Sequence, residues 1–217
     1  MKKRPASRSS SGFSLVELII SMIITVIILG VAVTIFSRAL STRTRETSRT
    51  DAITSAQAAL NVMSREIGNS GYGLYQDNGL ITADCSDRKI RFRANIDNVN
   101  PSGNGANTSQ AGEDVVYLYD ATAQSIVRFD RNAANPSGGT GVTSGVINRV
   151  SDVDFIYHNY AADGTFTSGT TATANTARVT INLNVTLPDV VGLPTGRIVR
   201  VSSDVTLRNA PYMLGQY

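Results

Sequence analysis

The feature that most constrains this 217-residue chain is a run of twenty consecutive residues without a charge, from Leu18 to Ser37. A helix of that length extends about 30 Å, which matches the hydrocarbon core of a bilayer. The run is longer than the h-region of about 7 to 15 residues in a secretory signal, and no small-x-small cleavage site follows it. It therefore predicts one membrane-crossing helix that stays attached to the chain.

Basic residues are concentrated before this run. The first twelve residues contain no acid and four cations: Lys2, Lys3, Arg4 and Arg8. Without them, 16 of the 20 basic side chains would remain against 17 acidic ones, and the net charge would change from +3 to −1. The basic balance therefore gives little reason to expect a nucleic-acid partner. Four further arginines follow the run, so the positive-inside rule leaves its orientation open.

The start of the apolar run reads G-F-S-L-V-E-L, from Gly12 to Leu18. This string, directly after a basic leader, resembles the prepilin processing motif of type IV pilins and type II secretion pseudopilins. The resemblance implies that a membrane aspartic peptidase, the prepilin peptidase, cuts between Gly12 and Phe13 on the cytoplasmic side. The same enzyme would then N-methylate Phe13.

A single carboxylate, Glu17, lies at the edge of the apolar run. A charged side chain costs up to about 2.5 to 3.5 kcal/mol at the bilayer centre and less near the interface, so it needs a partner. The resemblance implies a role in assembly, in which Glu17 attracts the N-terminal amine of a neighbouring subunit's Phe13. The alternative is a plain membrane anchor with an incidental glutamate.

Beyond the apolar run, hydrophobic residues recur at spacings of three and four, as on one stripe of an amphipathic helix: Ile53, Ala56, Leu60, Met63 and Ile67. Gly68 then provides a helix stop. Residues 37–50, between the apolar run and this stripe, are rich in Ser, Thr and Arg. Their intrinsic helix propensity is moderate, so a frayed or kinked joint is an open alternative there. Together, the pattern and the resemblance imply four segments: a cleaved leader at 1–12, a transmembrane or filament-core segment at 13–37, its amphipathic continuation at 38–67, and a β-rich extracytoplasmic head at 68–217.

The remainder of the chain reads as strands and turns. Short β-rich segments are predicted at 114–120, 125–130, 149–158, 178–187 and 197–207. Clusters of Gly and Asn predict surface loops at 100–112, 132–145 and 164–175. The predicted fold class is α+β, a pilin fold in which a long N-terminal hydrophobic helix packs against an antiparallel β-sheet head.

Four local strings resemble minor pilins of the PilW group and the related PulJ group of pseudopilins: S-R-E-I-G-N-S-G-Y-G at 64–73, D-V-V-Y-L-Y-D at 114–120, V-S-D-V-D-F-I-Y at 150–157 and V-T-L-R-N at 205–209. The resemblance implies a processed minor pilin that helps to prime or assemble a type IV pilus. The alternative is a tip pseudopilin of a type II secretion system.

The family resemblance also implies a location and a set of partners. The chain would cross the bacterial inner membrane once, with its head periplasmic or extracytoplasmic, and would then enter a pilus or pseudopilus. The implied partners are the prepilin peptidase, other major and minor pilins or pseudopilins, the inner-membrane assembly platform and membrane lipid.

Three cations alternate in D-R-K-I-R-F-R: Lys89, Arg91 and Arg93. They would share one face of a strand. Such a face is usually solvated or a subunit contact, and the alternative is a site for DNA or another anionic ligand.

An enzyme is not predicted. The chain has one histidine, His158, no Cys/His cluster with metal-ligand spacing and no phosphate-binding glycine loop. No catalytic residue, cofactor or metal is therefore assigned. A triad of Ser, His158 and Asp has no positive sequence signal. The single cysteine, Cys85, excludes an intrachain disulfide and is interpreted as a partly buried, space-filling residue.

Overall fold

The computed structural model describes residues 12–75, 77–97, 107–189 and 195–215. The chain divides into two compact units, with the division between Glu46 and Thr47. A single helix, α1 (Leu15–Gly68), begins in the first unit and ends in the second. It is unbroken through residues 37–50, where hydroxyls of Ser41 and Thr44 donate to helix carbonyls one turn earlier. These bonds satisfy polar side chains whose intrinsic helix propensity is moderate.

The second unit contains two antiparallel sheets of four strands. The first sheet has the order β1 (Lys89–Arg93), β2 (Asp114–Asp120), β3 (Ser125–Ala134) and β4 (Thr140–Asn148). The second consists of β5 (Val150–Tyr160), β6 (Phe166–Gly169), β7 (Thr176–Thr186) and β8 (Ile198–Thr206), in the order β6-β5-β7-β8. A 3₁₀ helix (Thr82–Asp84) and a short helix, α2 (Pro211–Leu214), complete the described elements. The α+β, pilin-like fold class is confirmed, with two sheets where one was predicted.

The core of the second unit forms between α1 and the inner faces of the sheets. Four residues of the predicted helix stripe are buried, namely Ala56, Leu60, Met63 and Ile67. Strand β7 contributes alternate residues to the same cluster: Val179, Ile181, Leu183 and Val185. The alternation of these apolar residues reflects one face of β7 against the core, whereas the opposite face is polar and half-buried, with Asn182 buried.

Tyrosine hydroxyls connect the two sheets. The Tyr157 hydroxyl on β5 donates to the carbonyls of Ser86 and Lys89, each at 3.0 Å. From β2, the Tyr119 hydroxyl donates to the carbonyls of Val150 and Ser151, at 3.1 and 2.8 Å. The strings D-V-V-Y-L-Y-D and V-S-D-V-D-F-I-Y therefore meet where one sheet joins the other.

Most strand predictions are confirmed. The β2–β3 hairpin turns at 121–124, and β7 pairs with β8 in a continuous antiparallel register. The loop predicted at 132–145 is wrong, because β3 continues to Ala134 and β4 begins at Thr140. Its Gly-rich centre forms a tight turn, in which Gly138 and Gly139 have positive φ angles of 99° and 82°. The loop predicted at 164–175 likewise contains β6, and most of the loop at 100–112 lies outside the described residues.

Candidate functional site

Gly12 and Phe13 lie just before the first turn of α1. The backbone N–H of Leu18 donates to the Ser14 carbonyl at 3.1 Å, and residues 12–14 precede the helix. The Phe13 side chain is 77% exposed, and a Cβ added at Gly12 would meet nothing within 4 Å. The Gly12–Phe13 peptide bond is thus non-helical and exposed, which is the condition that proteolysis requires.

Glu17 occupies the first turn of α1 and is exposed. The helix macrodipole stabilises a carboxylate at this end, because the first backbone N–H groups have no partner within the helix. A carboxylate in this position can accept hydrogen bonds from an ammonium group. Phe13 and Glu17 are therefore both exposed at the start of α1.

The helix that follows can cross a membrane by length and composition. Its most apolar 18-residue window has a mean hydropathy of 2.9, and none of that window is buried. The hydroxyls of Ser21, Thr25 and Thr34 all donate to helix carbonyls three or four residues earlier, at 2.7 to 3.0 Å. Lipid offers no hydrogen bonds, so these internal bonds let the surface face hydrocarbon or other apolar helices.

The three predicted cations lie on one face of β1, opposite the buried Ile90 and Phe92. Each of them has an acidic partner. Arg91 forms a bidentate pair with Asp114, at 2.8 and 2.7 Å, and Lys89 binds Asp84 at 3.1 Å. These ion pairs hold β1 against its neighbours.

Asp114 also binds Arg93, at 3.1 Å, and is itself buried. Burial alone would raise the pKa of Asp114, but hydrogen bonds and charge from Arg91 and Arg93 outweigh it and lower that pKa. The Arg91 side chain is only 11% exposed. The cations therefore already have intramolecular counter-ions, which sequence reasoning missed because Asp114 is 23 residues from Arg91.

His158 lies on β5 in a line of polar side chains. Its Nδ1 is 2.7 Å from the Ser168 hydroxyl, and its Nε2 is 2.8 Å from that of Thr180, which in turn donates to Asp204. Burial and the nearby Arg178 lower the pKa of His158, with Asp204 acting in the opposite sense. The strand register accounts for two of these three contacts, because His158 lies opposite Ser168 on β6 and Asp204 opposite Thr180. The contact of His158 with Thr180 is diagonal, since the register places His158 opposite Arg178.

Two other predicted features can be located. Cys85 is half-buried, packs against the core and has a thiol pKa raised by burial. In the described part of the chain, no group of three or more His, Cys, Asp or Glu side chains could hold a metal ion.

Comparison with protein families gives a match at the N-terminal part of the chain. A family model described as the prokaryotic N-terminal methylation motif matches residues 7–33, and no curated protein matches the chain. The matched residues include Gly12, Phe13, Glu17 and most of the apolar run. The chain therefore carries a type IV pilin-like N-terminal signal. Proteins with this motif are structural, and the motif implies processing by prepilin peptidase and a place in pilin assembly. It also fits an inner-membrane anchor.

Proposed function

We propose that this chain is a minor type IV pilin, similar to the PilW group, that helps to prime or assemble a type IV pilus. The observation that carries the proposal is that most of the methylation motif lies on α1, with the proposed cleavage site directly before the helix. The residues at 7–33 match the motif, and the same helix supplies Met63 and Ile67 to the core of the second unit. The helix thus begins directly after the proposed processing site, and it provides both the membrane segment and an anchor for the folded head.

Cleavage and assembly follow from the chemistry of the N-terminus. Cutting after Gly12 removes four cations and creates an amine at Phe13, which methylation leaves protonatable. Glu17 of an adjacent subunit is the counter-charge for this amine in a medium of low dielectric. The head lies on the extracytoplasmic side, and the assembly platform and neighbouring pilins are the partners.

Processing is tested by replacing the residue before the cut. Gly12→Arg introduces a large cation at a position where an added Cβ meets nothing within 4 Å among the described residues, so the fold should be retained. We expect full-length precursor in membranes that contain prepilin peptidase. The wild type should lose its first twelve residues and gain one methyl group on Phe13, measured by intact mass. Gly169→Arg, at another glycine with open space, is the control and should be processed normally. Normal processing of Gly12→Arg would refute the site.

Deletion of the gene in its own host tests whether the chain serves a type IV pilus or a type II secretion system. Loss of surface pili with normal protein secretion is expected for a minor pilin. Normal piliation with loss of type II secretion would instead assign the chain to a pseudopilus, as in the PulJ group.

A further inference from the structure

The two sheets leave four edge strands, and three of them carry a feature that discourages further pairing. Strand β1 has three cations, β6 has only four residues, and β8 carries Arg200 and Asp204. Charge and short length are the usual means by which natural proteins protect sheet edges. The fourth edge strand, β4, has neither of these features.

Strand β4 has the sequence T-G-V-T-S-G-V-I-N, nine residues without a charge or a proline. It pairs with β3 on one side, and no described strand pairs with its other side. Residues 142–145 keep a regular register with β3 between two irregularities, and Thr143, Ser144 and Gly145 are all exposed. A strand of this kind presents unpaired backbone groups that can accept another strand.

A groove runs beside this edge, between β4 and α1. One part, of about 430 Å³, is lined by Ser55, Ala58, Ala59, Val62, Arg128, Ser144, Gly145 and Val146. A second part, of about 450 Å³, shares Ser55 and Val146 with it and continues along α1 to Ser48. From Ser48 to Val62 the helix rises about 21 Å, the length of roughly six residues of extended chain. The groove therefore has the length of a strand, and its α1 side is lined mainly by small residues, with Asp51 and Val62 also present.

We propose that β4 is a strand-addition site for β4 of a second copy of this chain. The strand's side chains are small and uncharged, which is what a groove floored by Ala58 and Ala59 admits. An antiparallel pair centred on Ser144 is two-fold and self-complementary, with Val142 opposite Val146 and no like charges opposed. The proposal goes beyond the proposed function, which concerns the N-terminus.

Site-specific cross-linking tests this contact in the full chain, purified in detergent and in native membranes. In a Cys85→Ala background, Ser144→Cys places a thiol at the centre of the pair, and oxidation should produce a covalent homodimer. Ser202→Cys, exposed on the protected edge strand β8, is the control and should stay monomeric. Equal cross-linking at both positions would overturn the proposal, because it would reflect random collision.

The second test places a charged side chain on the β4 edge. A Cβ added at Gly145 would meet nothing within 4 Å, so Gly145→Lys should retain the fold while it puts like charges close together across the pair. We expect the dimer dissociation constant to rise about tenfold or more, measured by sedimentation in detergent. Gly169→Lys on β6 is the matched control and should leave it unchanged. An unchanged constant in Gly145→Lys, or cross-linking of Ser144→Cys only to a different protein, would overturn self-pairing.

Discussion

The Arg128 guanidinium on β3 donates to the Glu66 carboxylate on α1 at 2.9 Å, and so joins the helix to the first sheet. The same Glu66 oxygen accepts a hydrogen bond of 2.7 Å from the hydroxyl of Tyr117, a fully buried residue on β2. One carboxylate thus satisfies two donors from two strands. Both partners would lose their acceptor together if Glu66 were removed.

Replacement of Glu66 by alanine should therefore destabilise the head. An unsatisfied buried donor costs about 1 to 3 kcal/mol, and Arg128 keeps only a longer contact to Asp130, at 3.4 Å. We expect the free energy of unfolding to fall by about 2 kcal/mol. Denaturation of the full chain in detergent, followed by circular dichroism, measures this. Asp51→Ala, at an exposed acid on the same helix, should change stability by less than about 0.5 kcal/mol. Equal effects of both substitutions would contradict the role given to Glu66.

Gly79 is the position where an added methyl group should be most harmful. Its φ is +75°, and a Cβ there would lie 2.1 Å from the Gly71 nitrogen and 2.4 Å from the Arg93 carbonyl oxygen. Both obstacles are backbone atoms, so the turn after α1 would have to move. Gly79→Ala should cost about 3 kcal/mol or more, or prevent the accumulation of folded protein.

Gly138→Ala separates this clash from backbone strain. Gly138 also has a positive φ, +99°, but nothing lies within 4 Å of an added Cβ. Strain alone should cost about 1 to 2 kcal/mol. Similar melting temperatures for the two variants would show that the close approach at Gly79 is unimportant.

How far the sequence predicted this molecule depends on the range of the interactions involved. The apolar run, the stripe of α1 and the alternation along β7 are local periodic patterns, so they could be recognised without the structure. Strand β4 was mistaken for a loop, because its glycines and hydroxyls suit turns and only pairing with β3 makes it a strand. The partners of Arg91 and Glu66 are distant in sequence, and no local pattern identifies them. Gly12, Phe13 and Glu17 could be proposed from the sequence because the motif that contains them is contiguous.

His158 should make the stability of the head depend on pH. Burial and Arg178 lower its pKa in the folded state, whereas an unfolded histidine has a pKa of about 6.5. The unfolded chain therefore binds the proton more readily than the folded chain. The stabilisation that neutral His158 gives the fold is present above about pH 6.5 and is lost as the pH falls toward the folded pKa. Thermal melts between pH 7.5 and 5.5 should show a falling melting temperature.

The variant His158→Gln provides the comparison, because this is the only histidine in the chain. Glutamine can hydrogen-bond to Ser168 or Thr180 but does not titrate, so the slope over that pH range should largely disappear. The pKa values of Asp84 and Asp114 are lowered in the folded state. Protonation of these two carboxylates should therefore reduce stability only below about pH 4, the ordinary range of carboxyl groups. A slope that persists in the glutamine variant would assign the dependence to other groups.

Glu17→Ala tests assembly separately from processing and anchoring. The substitution leaves Gly12 and Phe13 intact, so cleavage and methylation should proceed as in the wild type. It also removes a charge whose cost in lipid is up to about 2.5 to 3.5 kcal/mol, so membrane retention should be equal or stronger. Loss of the amine's counter-charge should nevertheless reduce incorporation into sheared filaments about tenfold or more, measured by immunoblot.

Glu46→Ala is the matched control, because Glu46 is an exposed acid on the same helix whose ion-pair partner is the neighbouring Arg45, at 3.7 Å. Its incorporation should equal that of the wild type, since an exposed pair contributes at most about 1 kcal/mol. Accumulation of mature Glu17→Ala subunit in the membrane, with filaments depleted of it, would place the defect after cleavage and before extraction from the bilayer. Wild-type incorporation of Glu17→Ala would show that assembly does not require this carboxylate, and would leave helix packing as the force that aligns the subunits.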